Sequence, residues 1–291
     1  MTKRLDMKGI GKSFFATRAL DNVNFTCVAG EGHALVGLNG AGKSTLMKIL
    51  GGVYQKDEGV IEIDGAKVEI AAPSDAGDRG IAMIHQELSL INELTVAGNI
   101  FLGRELRHGA TPFVNKREMA RQVRAQLDRF GLTLDPNRKV ADLNSGEKQI
   151  VEIIRALMSD AWLIVMDEPT SALSEEDKEM LFDFIRKMKE EGIAIIYISH
   201  HMPEIFSIAE QVTVMRDGVI VLSERTAASS EDHVIRSMTG AELDHFVKPH
   251  KEITGKTILT VENLTHPGAY EDISFNVHEG EIVVMTGLRG C

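Results

Sequence analysis

Cysteine is nearly absent: Cys27 and Cys291 are the only two in 291 residues. Two lone thiols make no disulfide framework, so the chain reads as one suited to a reducing compartment. The start, Met1-Thr-Lys-Arg-Leu-Asp-Met-Lys8, lacks the apolar stretch of a signal peptide. Long apolar runs are missing too. The strongest, Trp162-Leu-Ile-Val-Met166 and Ile193-Ala-Ile-Ile-Tyr-Ile198, fall far short of the roughly 20 residues that span a bilayer. If the protein works at a membrane, another chain is expected to supply the spanning part. An excess of basic charge is also lacking. Against 43 acidic side chains stand 32 basic ones, a net charge of −11, which argues against a nucleic-acid partner. The ten histidines include no pair with metal-ligand spacing, so no zinc site is expected. The thirteen methionines read as core filler.

What is there is the balance of a globular protein, 43% hydrophobic and 26% charged, long enough for a sizeable core. Short β-branched runs alternate with helix-length amphipathic segments, which predicts an α/β architecture with parallel strands. Strands are expected at 33–36, 81–85, 163–167, 194–199 and 211–215. A helix is expected at 144–159, with Ile150, Ile153, Ile154 and Leu157 on one face. A second, at 175–191, turns Leu181, Phe184, Ile185 and Met188 inward. Residues 87–160 are rich in helix signals and poor in strand signals, as an inserted helical subdomain would be. The polar, aperiodic stretch 241–256 reads as a linker.

An internal repeat follows that linker. Ala19-Leu-Asp-Asn-Val-Asn-Phe25 is matched by Ala269-Tyr-Glu-Asp-Ile-Ser-Phe275, 250 residues on. At the same offset Gly30-Glu31 is matched by Gly280-Glu281, and Gly37-Leu-Asn-Gly40 by Gly287-Leu-Arg-Gly290. One complete domain at 1–240 is thus expected, followed at 257–291 by the truncated start of a second copy.

Gly37-Leu38-Asn39-Gly40-Ala41-Gly42-Lys43-Ser44 fits the pattern G-x-x-x-x-G-K-[ST], between an apolar strand and a helical pattern at 45–50. Gly37, Gly40 and Gly42 let successive backbone N–H groups point at phosphate oxygens. The helix N-terminus adds favourable partial charge. Lys43 can reach terminal phosphates, and the Ser44 hydroxyl can ligate Mg²⁺. Downstream, Leu163-Ile-Val-Met-Asp167-Glu168 is an apolar run suited to a strand buried on both faces and ending in two acids. Asp167 is placed to hold the metal and Glu168 to polarise an attacking water as general base.

Further elements in a fixed order make the chain resemble the nucleotide-binding subunits of ABC transporters, from residue 5 to about 222. Gln86 matches the Q-loop glutamine, which in that family contacts metal and water. Leu143-Asn144-Ser145-Gly146-Glu147 matches the signature motif, Ser171-Ala-Leu-Ser174 the D-loop, and His200 the switch histidine. Phe14 matches the aromatic residue that stacks on adenine. Phe15 competes for that role, and His201 is as titratable as His200. Departures from the family pattern are local. Asn144 stands for Ser, Ser145 for Gly and Glu147 for Gln, and Glu147 brings negative charge toward a phosphate.

The stretch Ile84-His-Gln-Glu-Leu-Ser-Leu-Ile-Asn-Glu-Leu-Thr-Val-Ala-Gly-Asn-Ile-Phe-Leu-Gly-Arg104 is similar to that of fused-duplex ATPases of ribose, galactose and xylose importers. So are Tyr197-Ile-Ser-His-His-Met202 and Glu204-Ile-Phe206. The resemblance implies a P-loop ABC-type ATPase domain that binds Mg-ATP through Phe14, 37–44 and Thr45. Ser44, Asp167 and Gln86 attend the metal, and Glu168, His200, Lys43 and Gln86 serve hydrolysis. The signature 144–147 closes on a partner domain's ATP. It further implies a transport-coupled ATP hydrolase at the cytoplasmic face of the inner membrane. Its partners are permease subunits, a second ATPase domain (in the same chain or a second copy) and, indirectly, an extracytoplasmic sugar-binding protein. An ABC-family ATPase with no transport role, and an ATP-binding remnant without transport activity, are the alternatives.

Overall fold

The structure is a computed structural model that describes residues 2–109, 111–240 and 255–286. It divides into two units, Met1–Glu242 and Leu243–Cys291. The expected linker lies mostly outside the described residues, and so does the counterpart of the phosphate loop at 287–291.

The first unit runs β1 (Arg4–Phe14), β2 (Thr17–Val28), β3 (Gly32–Val36), α1 (Lys43–Leu50), β4 (Glu58–Ile63), β5 (Ala66–Val68), α2 (Pro73–Asp78) and β6 (Ile81–Ile84). Then come α3 (Val96–Ile100), α4 (Lys116–Arg129), α5 (Ser145–Leu157), β7 (Leu163–Asp167), α6 (Glu175–Glu190) and β8 (Ala194–Ile198). The unit closes with α7 (Met202–Ile208), β9 (Gln211–Arg216), β10 (Val219–Arg225) and α8 (Glu231–Thr239). The second unit is a hairpin of β11 (Thr257–His266) and β12 (Tyr270–His278).

Six strands form the central sheet in the order β10-β9-β3-β8-β7-β6. From β9 to β6 every pairing is parallel, and β10 joins the edge antiparallel to β9. All five expected strands are in this sheet. Their continuous apolar runs have the expected cause, since both faces are covered. Along β7, Ile164 and Met166 face a core shared with α3, α4, α5 and α6. Leu163 and Val165 face a second core built on α1, β1 and β2. The alternation continues in β8, where Ile195 and Tyr197 take the first side and Ala194, Ile196 and Ile198 the second. Helices α7 and α8 pack on β3 and β9 through Met202, Ile205, Val234 and Met238. Each such fully buried aliphatic side chain contributes about 1.5–3 kcal/mol.

A second sheet, antiparallel in the order β2-β1-β4-β5, is not among the elements expected from the sequence. Its strands are buried on one side only, so they give an interrupted pattern rather than an apolar run. Among the described residues of 87–160 the elements are helical alone: α3, α4, α5 and a short 3-10 turn at Val140–Asp142. Helix α5 begins where Asn144 caps it, its side-chain oxygen accepting from Glu147 N–H at 2.7 Å. Helix α6 begins at Ser174, with Glu175, Glu176 and Asp177 at the positive end of its dipole and Lys187 and Lys189 near the other.

The hairpin of the second unit repeats the register of β1 and β2. Leu5 opposes Cys27, Met7 opposes Phe25 and Ile10 opposes Val23. Leu259 opposes Val277, Val261 opposes Phe275 and Leu264 opposes Ile273. Both hairpins break register at the same place, with left-handed backbone at Gly9 and Asn22 in one and at Asn263 and Asp272 in the other. The first-unit residues are buried, whereas Leu259, Leu264 and Ile273 are exposed.

Candidate functional site

Strands β3, β8, β7 and β6 are parallel neighbours, so their carboxyl ends lie along one edge of the sheet. Ligands of open parallel sheets gather at such an edge. The loop from Gly37 to Gly42 leaves β3, Asp167 closes β7, Gln86 follows β6 and His200 follows β8.

The loop after β3 needs its glycines for space as well as for backbone angle. A Cβ on Gly37 would come within 2.3 Å of Met215 O. One on Gly42, at φ 103°, would come within 2.9 Å of Ala19 O. The β1–β2 hairpin therefore closes directly on the loop. Helix α1 starts at Lys43, whose ammonium folds back to donate to Gly37 O at 2.6 Å and Leu38 O at 3.1 Å. The lysine is half-buried. Burial lowers its pKa, and the carboxylates of Asp167 and Glu168 oppose that shift. Two carbonyls holding a partly desolvated ammonium form a cradle that a phosphate oxygen could take over.

Asp167 is pushed above the usual carboxylate range by burial first and by Glu168 second. His85, Lys43 and Lys48 act against that rise. Glu168 sits in the left-handed region at φ 46°, with its N–H donating to Ile198 O at 2.9 Å. That strained turn aims its carboxylate at the ends of β6 and β8. Gln86 Nε2 donates to Glu168 Oε2 at 3.2 Å, and His200 Nδ1 lies 3.1 Å from Glu168 Oε1. His200 alone makes this contact. His201 stacks on it with ring centroids 4.3 Å apart and turns its backbone N–H to Ser199 Oγ.

Ser44 and Thr45 stand in the first turn of α1. A hydroxyl and a nearby carboxylate are a hard-oxygen donor pair, which fits Mg²⁺ shared with phosphate. Among the described residues no group of three or more His, Cys, Asp or Glu could hold a metal ion by itself. Phe14 ends β1 half-buried, its ring edge-on to Tyr54 at 5.1 Å with the Lys12 ammonium 5.5 Å away. Phe15 projects fully exposed at the hairpin tip.

Residues 144–147 are not brought to this edge. Among the described residues, their partners lie in the segment before α5 and in α6. A Cβ on Gly146 would meet Asp177 Oδ1 at 2.5 Å. Glu147 has an ion-pair partner within the chain. Its carboxylate takes a two-pronged ion pair from Arg138, at 2.7 and 2.6 Å, and accepts Asn144 N–H at 2.9 Å. The negative charge is thus compensated within the chain. Arg138, His85 and Lys48 were not singled out in the sequence. None of them sits in a motif whose spacing marks it.

A glycine-lined strand-to-helix loop, with a carboxylate closing a parallel strand two places along the same sheet, defines a P-loop nucleotide-binding domain. The sequence model of the ABC transporter family matches residues 20–171, over half of the chain, and the chain belongs to that family. It is 42% identical over 286 residues to a ribose import ATP-binding protein RbsA of Geobacillus kaustophilus, covering 98% of this chain and 58% of that one. It is 46% identical over 291 residues to a protein of the same name from Clostridium perfringens, covering 99% and 58%. A putative ribose/galactose/methyl galactoside import ATP-binding protein of Geobacillus kaustophilus is 44% identical over 286 residues, covering 98% and 57%. The chain spans about 58% of the length of such relatives. Among solved structures, the ADP conformation of an ATP-binding cassette of an ABC transporter matches with a TM-score of 0.68 at 25% identity. That match covers 82% of this chain and 96% of the other.

Proposed function

We propose that residues 1–240 form one ATPase domain that binds Mg-ATP and hydrolyses it, and that 257–291 begin a second copy after a linker at 241–256. The observation that carries this reading is the meeting of Lys43, Asp167, Glu168, Gln86 and His200 at the ends of four adjacent strands, with Glu168 bonded to both Gln86 and His200. Phe14 offers its ring to adenine. The backbone N–H groups of 37–45 and the Lys43 ammonium hold the phosphates. Magnesium, when bound between Ser44, Asp167 and the phosphates, would neutralise charge that develops on the terminal phosphate, with Gln86 nearby. Glu168 accepts a proton from the attacking water, and His200 holds that carboxylate in place while it faces the terminal phosphate. Asn144 of a partner domain supplies an amide donor, and closure of the two domains excludes water.

The assembly is an importer of a monosaccharide or similar small sugar. Its further parts are permease subunits and, outside the membrane, a sugar-binding protein. The ATPase works peripherally at the cytoplasmic face. The names of the similar proteins, ribose import and ribose/galactose import, support this substrate class.

Substitution tests the chemistry. Glu168→Gln is expected to leave Mg-ATP affinity nearly intact while lowering turnover by about 10²–10⁴-fold, the usual worth of a general base. Lys43→Ala is expected to weaken binding by roughly 10–100-fold, the loss of a charge-assisted contact. Calorimetry with Mg-ATP and a phosphate-release assay separate the two effects. Wild-type turnover in Glu168→Gln rejects the base assignment. Co-purification with a polytopic membrane protein supports the importer reading, and its absence in the native host favours an ABC ATPase without a transport role.

A further inference from the structure

Three buried carboxylates, Asp6, Glu152 and Glu204, take no part in the chemistry above, and Glu204 is the one bonded to the loops that carry Glu168 and His200. Glu204, near the start of α7, is only 7% exposed. An ionised carboxylate at such a depth costs several kcal/mol unless hydrogen bonds compensate it. Here one oxygen is compensated three times over. Glu204 Oε2 accepts from Thr170 Oγ1 at 2.8 Å, from Tyr197 Oη at 2.9 Å and from Ser199 Oγ at 3.2 Å. The other oxygen lies 3.7 Å from Lys178 Nζ. Burial pushes the Tyr197 phenol upward, so it stays protonated and donates.

Tyr197 donates from within β8, and the other two donors come from the loops at the site. Thr170 is two residues beyond Glu168, on the loop that leaves β7. Ser199 is the residue before His200, on the loop that leaves β8. The Ser199 hydroxyl donates to Glu204 and accepts the His201 N–H at 3.0 Å, which pins the turn on both sides of His200. Both loops are therefore anchored from below to the same carboxylate oxygen, while above it Glu168 and His200 touch at 3.1 Å.

We infer that Glu204 is a positioning residue that fixes the distance between Glu168 and His200 by tying the loops after β7 and β8 to one buried oxygen. The inference rests on the hydrolytic reading of that pair. A bond only between secondary elements would stabilise the fold and nothing more. Glu204 instead holds the two loop roots that set catalytic geometry, where a displacement of about 1 Å costs roughly a hundredfold in rate.

The test uses the whole chain and two variants. Glu204→Gln keeps the shape and an acceptor oxygen but removes the charge. Ser199→Ala cuts only the link to the His200 turn and serves if the first variant folds poorly. Thermal unfolding, Mg-ATP calorimetry, turnover and backbone amide exchange are measured on each. Exchange at 168–171 and 198–204 is expected to rise by about tenfold or more, with the rest of the chain unchanged. Mg-ATP affinity should stay within about threefold while turnover falls by about tenfold or more, a kcat effect without a binding effect. Wild-type exchange at both segments in both variants overturns the inference. So does loosening spread evenly over β7, β8 and α6, with activity lost only in proportion to unfolding. A wild-type chain without Mg-ATP affinity would defeat the hydrolytic reading instead, and the exchange comparison would still decide whether Glu204 ties the loops.

Discussion

Asp167 keeps its charge at the expense of stability. Burial and the neighbouring Glu168 raise its pKa, so the folded chain holds that proton more tightly than the unfolded one. Stability from this group therefore falls as pH rises from its ordinary value of 3.8 through the raised one, and the deficit is complete at neutral pH. Asp167→Asn is expected to raise the unfolding temperature of the nucleotide-free chain at pH 7, with the advantage vanishing in acid. The same variant should lose most of the extra thermal stability that Mg-ATP confers on the wild type. Scanning both proteins with and without Mg-ATP checks each half. Lys43, Asp167 and Glu168 were legible in the sequence because phosphate and metal chemistry fixes their spacing. Glu204 was visible only as part of a family resemblance. Its three hydroxyl donors sit on the loop after β7, within β8 and on the loop after β8, and they meet only when β7 and β8 pair.

Helix α5 shows how an element absorbs an unfavourable residue. Glu147 places a negative charge at the helix N-terminus, where it suits the dipole, and it closes a capping box with Asn144. Arg138 then pairs with it from the chain just upstream. Glu147→Ala is expected to cost about 1–2 kcal/mol through the lost box and ion pair. Arg138→Ala should cost less, about 0–1 kcal/mol, because that arginine is partly exposed. Urea denaturation resolves the two. Equal costs would mean that the ion pair rather than the cap holds the helix start. The helix itself was legible from the spacing of Ile150, Ile153, Ile154 and Leu157. The pairing of Glu147 with Arg138 was not, because the two lie on different elements and no helical or strand period relates them.

At the scale of the whole molecule, His33 makes stability sensitive to mild acid. Burial lowers its pKa from 6.5 to about 4, so the unfolded chain binds a proton that the folded chain refuses. Stability should fall as pH drops from 6.5 toward 4, with a slope approaching about 1.4 kcal/mol per pH unit. The variant His33→Gln should flatten that slope, as read from urea midpoints between pH 7 and 5. If, as proposed, the residues 144–147 of a second domain complete the ATP site, turnover should depend on chain concentration. In Glu168→Gln, Mg-ATP should drive dimers detectable by sedimentation, and turnover by a proven monomer at every concentration would reject this. The sequence by itself determined the glycine-lined loop after β3, the acids at the end of β7, the two-sided burial of the central strands and the repeat 250 residues on. All of these are local patterns or periods set by bond geometry and by water's exclusion from apolar surface. Tertiary structure alone decided which histidine meets Glu168, that Glu147 pairs with Arg138 and that a buried glutamate binds two loops together. Those are contacts between distant segments, chosen by sheet order and helix packing.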